Sequence, residues 1–339
     1  MRYIESTVLL DIVPNRGQLI HPLFGEVVLW RQHEFHSWWN QFEAIIDHPL
    51  SRTFINGVVD SLEFKNTMPR IGGLFRKKKF KKESDYIGSQ LGWGAFQLEK
   101  QNVVQSAHPL LSVALGQYLL ETYHEQRFKV RWVEPRTQTV QIETESSPDL
   151  PHPKPLEPLP WSIDDEVKIT DSSLMVDQHS QYELKFEGER VVLIPIESME
   201  RFLLGCLPYA PHQDVKWFDT VSPEFDTLKH LLRAIIQSIS GMFLKSEQPV
   251  YIVDASSWTA YIENYICERG WGGAQVTDYD TSDYTLELTM SMQSQFPFTV
   301  GLLCGMWERA HGRAYRLSLH QENDNFVVKI QSLLEYENQ

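Results

Sequence analysis

The chain repeats itself once. Gly25-Glu26-Val27-Val28-Leu29-Trp30-Arg31 lines up with Gly188-Glu189-Arg190-Val191-Val192-Leu193-Ile194. Gly92-Trp93-Gly94-Ala95 lines up with Gly270-Trp271-Gly272-Gly273. Pro109 with Leu115-Gly116-Gln117-Tyr118 lines up with Pro297 with Cys304-Gly305-Met306-Trp307. The glycine offsets are 163, 178 and 189, so order is kept while the second copy gains about 26 residues. Repeats this long describe two domains rather than a solenoid, and 339 residues suit two domains.

The boundary is written in proline. Pro148, Pro151, Pro153, Pro155, Pro158 and Pro160 fall within thirteen positions, which excludes helix and central strand. Residues 147–162 are expected to be a semi-rigid extended spacer, or conceivably a ligand for a polyproline-reading domain. The division is therefore 1–146, linker 147–162, and 163–339.

Hydropathy supplies the elements. Residues 6–13 and 24–30 predict an opening hairpin around Pro14-Asn15-Arg16-Gly17. Phe35, Trp38, Trp39, Phe42, Ile45 and Ile46 give residues 31–46 a helical stripe. A helix is expected over 51–63, a loop over 65–82, a short helix over 83–91 and a strand over 93–104. A helix over 109–124 and a hairpin of 128–133 with 137–144 close the first copy. The second predicts strands at 181–187 and 190–195 and helices at 197–206 and 224–245, the latter with Phe225 on its apolar face. A short strand at 249–253, a helix at 256–268, strands at 274–279 and 284–292, a helix at 298–311 and a hairpin of 313–320 with 325–332 follow.

This order, with its Gly-Trp-Gly turn, small-residue helix and final hairpin, resembles the 4-vinyl-reductase-like domains and the related small subunits of the TRAPP tethering complex. The match is best over Arg269 to Ile330, with Gly270-Trp271-Gly272, Gly301, Gly305 and Gly312. The first copy keeps Gly92-Trp93-Gly94 and Gly116 but lacks counterparts of Gly301 and Gly312. The resemblance implies an α+β fold of two homologous domains, each an antiparallel sheet packed with helices. It also implies either a pocket for an apolar or aromatic molecule or a role as an interaction subunit. The pocket wall would lie near Trp271, Phe298, Leu302 and Trp307, with Trp93, Leu111 and Tyr118 as first-copy counterparts. Phenol-sensing relatives bind zinc through clustered cysteines near the domain's end, but Leu319 to Ser332 holds none, so the metal is not carried over. None of the cysteines aligns with the acylated cysteine of the tethering subunits. Read from the residues alone, Gly301 and Gly305 would let their helix lie close on the sheet.

No catalytic motif stands out. His33-Glu34-Phe35-His36 has metal-capable spacing but reads as a helix start at or near the surface. Asp278, Asp280 and Asp283 lack the glycine and terminal glutamate of a calcium loop and read as a solvated turn. Cys206, Cys267 and Cys304 form no CxxC pair and read as small buried hydrophobes in a reducing compartment. The N-terminal residues lack a signal-peptide pattern and no run reaches 18 apolar residues, so a cytoplasmic protein is expected.

One local feature opposes the composition. Net charge is −14, which disfavours nucleic acid and anionic lipid over the whole surface. Yet Arg76, Lys77, Lys78, Lys79, Lys81 and Lys82 put six cations in seven positions, in the first copy alone. Such a run can hold phosphates, anionic lipid or nucleic acid, or an acidic face of another copy. The leading expectation is a non-enzymatic scaffold or small-molecule-binding protein with a protein partner or self-association about a pseudo-two-fold axis. The alternatives are an enzyme or accessory for an aromatic or tetrapyrrole-like ligand, and anionic polymer or membrane binding through 76–82. Cofactor identity stays open.

Overall fold

The computed structural model describes residues 7–13, 16–162, 173–220 and 228–334. The fold is α+β. In the first half β1 (Thr7–Val13), β2 (Gln18–His21) and β3 (Gly25–Arg31) precede α1 (Gln32–Ile46), α2 (Ser51–Phe64) and α3 (Arg76–Leu91). Then come β4 (Ala95–Gln97), β5 (Asn102–Val104), α4 (Pro109–His124), β6 (Phe128–Arg136) and β7 (Thr139–Ser146). The second half has β8 (Ser173–Ser180), β9 (Glu183–Phe186), β10 (Glu189–Pro195), α5 (Ile196–Cys206), β11 (Phe218–Thr220), α6 (Lys229–Lys245) and α7 (Ala255–Tyr261). It ends with β12 (Gln275–Tyr279), β13 (Leu286–Ser291), α8 (Phe296–His311), β14 (Tyr315–Glu322) and β15 (Asn325–Ser332).

The halves do not keep separate opening sheets. Strands β1-β2-β3 and β10-β9-β8 close one barrel. At its seam β3 and β10 run antiparallel, with Arg31 opposite Val191 and Val28 opposite Ile194. Under the 163-residue offset Val28 corresponds to Val191 and Arg31 to Ile194. Each pairing is therefore the reciprocal of the other, as at a two-fold interface. The helices cross over in the same way: α1 packs on α6 and α5 packs on α2. Alternation alone could not reveal this, because it specifies a strand's buried face and not its partner.

The remaining strands form two sheets of one plan. One runs β4-β5-β7-β6; the other runs β12-β13-β15-β14, with β11 added beyond β14. From the helix to the hairpin the offset is 187, with Pro109 over Phe296 and Phe128 over Tyr315. The offset of 189 read at Gly116 and Gly305 is thus two too many. Two chemically equal contacts support the correction: Ser112 donates to the carbonyl of Trp93, and Thr299 donates to the carbonyl of Trp271. A second correction concerns Gly301 and Gly305. A Cβ there would meet Ile239 at 2.6 Å and Phe243 at 2.9 Å, so these glycines admit helix α6 and not the sheet.

The Gly-Trp-Gly turns anchor each half on the other. Gly92 and Gly270 end helical segments at φ 72° and 78°, a region that favours glycine. A Cβ on Gly92 would sit 3.0 Å from the carbonyl oxygen of Val191; on Gly270 it would sit 2.6 Å from that of Val27. Aromatic side chains fill the space between the halves. Trp30 meets Trp271 with centroids 4.4 Å apart and Trp38 at 5.1 Å, and Phe202 meets Phe54 at 5.2 Å.

Several local expectations shift. The helix expected over 83–91 begins at Arg76, because Phe80, Ser84, Ile87 and Leu91 already continue its buried stripe. The strand expected over 93–104 is two short strands around a 3-10 turn. Residues 249–253 form no strand, and the helix after residue 255 relaxes into a π turn and a 3-10 turn before Gly270. Pro14, Asn15 and Phe225 lie outside the described residues. The proline-rich segment 147–160 has neither helix nor strand. It is strapped down: Arg127 donates to the Pro151 carbonyl, Arg201 to that of Lys154, and buried Trp161 to that of Ser294. No helix among the described residues is long and apolar enough to cross a membrane.

Candidate functional site

Helix α3 turns one apolar face inward and one basic face outward. Phe80, Ser84, Ile87 and Leu91 are buried. Three cations are tied laterally. Arg76 donates to the Tyr123 carbonyl and to Glu125 at 3.0 Å, Lys77 pairs with Glu99, and Lys81 reaches Asp85 at 2.5 Å. Lys78, Lys79 and Lys82 are exposed and have no ion-pair partner among the described residues. On a helix they share a face with Phe75, one turn before, and Tyr86, one turn after.

The approach to α3 is apolar and unburied. Leu74 is 85% exposed and Phe75 is 75% exposed, after the exposed pair Gly72-Gly73. Phe75 caps the helix at φ 70°, a conformation that costs a non-glycine residue about 1 kcal/mol or more. The cations also crowd the positive end of the helix dipole, where positive charge is unfavourable. The basic run was legible in the sequence, whereas Leu74, Phe75 and Tyr86 as its companions were not singled out. Their signal was an apolar pair between two glycines and a charge run.

The aromatic residues expected to wall a pocket are packed into the core. Trp93, Leu111, Leu302 and Trp307 are fully buried, and Trp271, Phe298 and Tyr118 nearly so. Trp271 and Phe298 flank a void of about 10 Å³ shared with Trp30, Leu159, Met199 and Glu200, the scale of one water molecule. Trp307 donates to the carbonyl of Tyr284 at 2.7 Å, and Trp93 to that of Leu193 at 2.9 Å. Tyr118 accepts from the Met68 amide and bonds Thr67, both at 2.9 Å, and borders a surface groove of about 770 Å³.

The His33–His36 segment holds a different feature from the one its spacing raised. Glu34 is buried, 2.7 Å from the equally buried Arg269, and accepts from Tyr265 at 2.8 Å. Burial raises its pKa, but Arg269, Arg31 and the Tyr265 hydrogen bond outweigh that and hold it below the ordinary carboxylate value. The acid of a helix start thus pairs across the two halves, a partnership 235 residues distant that no local pattern shows. His33 faces Glu189 at 3.7 Å, and His36 bonds Asn40. His108, the α4 cap, is pushed down to about 3 by burial and by His36.

The other candidates are structural in their surroundings. Asp280 and Asp283 accept from the amides of Ser282 and Thr285, the bonds of a turn. No group of three or more metal-ligating side chains gathers among the described residues. Burial pushes Cys267 up to about 11 and raises Cys206 and Cys304 further, which disfavours the thiolate. Comparison with protein-family models, curated proteins and solved structures returns no match.

Proposed function

We propose that this protein is a binding module, not an enzyme, that docks on anionic membrane surfaces through helix α3. The observation that carries the reading is the juxtaposition of exposed Leu74 and Phe75 with the unpaired Lys78, Lys79 and Lys82. Lysines alone would suit any polyanion. An apolar pair at the tip of the same face has no counterpart on nucleic acid phosphates and does match the headgroup–acyl boundary. Three lysines contribute about 3 kcal/mol near an anionic surface. Inserting Leu74 and Phe75 adds roughly 1.5–3 kcal/mol each. The sum corresponds to reversible, micromolar-scale attachment.

The same proposal takes the halves as tandem copies of one vinyl-reductase-like unit, of which only the first keeps a membrane face. The repeated element order and the shared offset from α4 to β6 support it. The test is sedimentation with phosphatidylserine-rich vesicles. The intact protein is expected to pellet, and to be released by salt. Leu74→Asp with Phe75→Asp, and separately Lys78→Glu with Lys79→Glu and Lys82→Glu, should each weaken attachment by about 100-fold or more. Equal sedimentation with purely zwitterionic vesicles, or equal binding by both variants, would refute the reading.

A further inference from the structure

The two sheets share one plan but differ at one edge. In the second half β11 lies parallel to β14, with Phe218 opposite Leu317 and Thr220 opposite Leu319. The Leu317 amide donates to the Trp217 carbonyl at 2.7 Å. This added strand covers the edge of the second-half sheet. In the first half β6 occupies the place of β14, and among the described residues nothing pairs with its outer edge.

A groove runs along each edge. The first-half groove, about 560 Å³, is bordered by Lys129, Arg131 and Glu145 and by Arg52 of α2. The second-half groove is bordered by the corresponding Arg316, Ser318 and Gln331 and by Arg233 of α6. Residues 213–216 and 218–220, β11 included, line that second groove. The molecule thus contains its own example of what this sheet edge accepts, an extended strand, with the groove left open beside it at about 610 Å³.

The edge of β6 is hydrogen-bond competent and guarded. The place of Leu317 is taken by Val130, so its amide points where Trp217 would stand. The Val130 carbonyl accepts from the guanidinium of Arg52, which also lies over the Trp132 ring at 5.0 Å. A charged side chain held on an exposed edge is a usual protection against unwanted pairing. Gln117 and Arg127 line the same groove, both side chains more than nine-tenths buried, and Gln117 Oε1 and Arg127 Nε lack a hydrogen-bond partner among the described residues.

We infer that the β6 edge is a docking site for an extended segment of a partner protein, added parallel to β6 in the groove under α2. Backbone pairing supplies the affinity, and alternate side chains supply selectivity. The pattern accepted should follow β11, where half-buried Phe218 and Thr220 flank exposed Asp219. A run of apolar, acidic and β-branched residues fits Val59 and Phe128 in the groove and Arg131 at its rim, where Glu143 and Glu145 also stand. Arg52 must release the Val130 carbonyl for the strand to seat.

The probe is a display library of random linear peptides selected on the full-length protein, with the best binder followed by hydrogen exchange. The expected result is protection of the Val130 and Trp132 amides. N-methylation along the peptide should abolish binding at every second position, the signature of strand pairing, and this readout leaves the protein unaltered. Arg52→Ala should tighten binding by about two- to tenfold, since it removes a competing hydrogen bond. Selected peptides that leave residues 128–133 unprotected, or that tolerate N-methylation everywhere, would overturn the inference. Concentration-dependent protection of the same amides without peptide, with a dimer mass, would assign the edge to a second copy and also overturn it.

Discussion

The two halves solve one packing problem with different side chains, and the differences fall at surfaces and across the seam. Beside Gly270 stands Arg269, sealed with Glu34. Beside Gly92 stands Leu91, buried and apolar, while Glu197, the counterpart of Glu34, turns to Arg201 at 2.7 Å and Lys65 at 3.2 Å. One side of the pseudo-two-fold axis is held by a buried ion pair and the other by hydrocarbon. Among the described residues the edge strand is covered in the second half and uncovered in the first, and the basic helix belongs to the first alone.

The largest effect should come from breaking the ion pair. Glu34→Ala leaves Arg269 charged and buried, at a cost of about 3–5 kcal/mol in chemical denaturation. Replacing both residues with leucine, as on the Leu91 side, should cost much less than the single change. If both variants lose the same stability, the seam is not held in the way described.

Next come the crossed glycines. Gly270→Ala must accept positive φ and a backbone oxygen at 2.6 Å, whereas Gly92→Ala meets its oxygen at 3.0 Å. Gly188→Ala has positive φ but open space. Losses of about 3, 2 and 1 kcal/mol are expected in that order, read by thermal denaturation. A Gly188 variant as damaged as Gly270 would show that strain and not crossing is what matters.

The tryptophans separate the halves by about 1–2 kcal/mol. Trp93→Phe strands the Leu193 carbonyl, whereas the Trp271 indole nitrogen has no partner among the described residues to lose. Equal losses for Trp93→Phe and Trp271→Phe would deny the difference.

A pH effect separates the same two helix starts. His108 caps α4 where Gln295 stands before α8. Its folded pKa of about 3 lies below the unfolded 6.5, so the unfolded chain takes up the proton first. Stability conferred by the neutral ring is full above 6.5 and declines as pH falls toward about 3. Glu34, also lowered, adds its loss only below the ordinary carboxylate value of 4.5. His108→Gln, the second-half residue, should therefore make the decline between 6.5 and 4.5 shallower, leaving the share of His311, which burial pushes down to about 4, and of His21, also lowered by burial. Urea midpoints across that range would show it, and an unchanged slope would count against the buried neutral ring.

What the sequence disclosed follows from what is local. The α1 stripe from Phe35 to Ile46, the α8 helix and the terminal hairpins were visible because periodicity is a short-range signal. The Gly-Trp-Gly turns were found through their glycines. The barrel seam, the Glu34–Arg269 pair and the covering of β14 were not visible, because each joins residues far apart in the chain. The basic run looks like a loop in sequence because lysine hides a helix whose buried stripe begins only at Phe80. Gly116 and Gly305 align in sequence as glycines, yet Ser112 and Thr299 are the residues in equivalent contacts, two positions out of that register.

The most direct test of the unequal halves is hydrogen exchange of the intact protein with and without phosphatidylserine-rich vesicles. The account predicts protection over residues 72–86 and no change over residues 250–264, the matching segment of the second half under the 178-residue offset. Protection of both segments, or of the second alone, would contradict it.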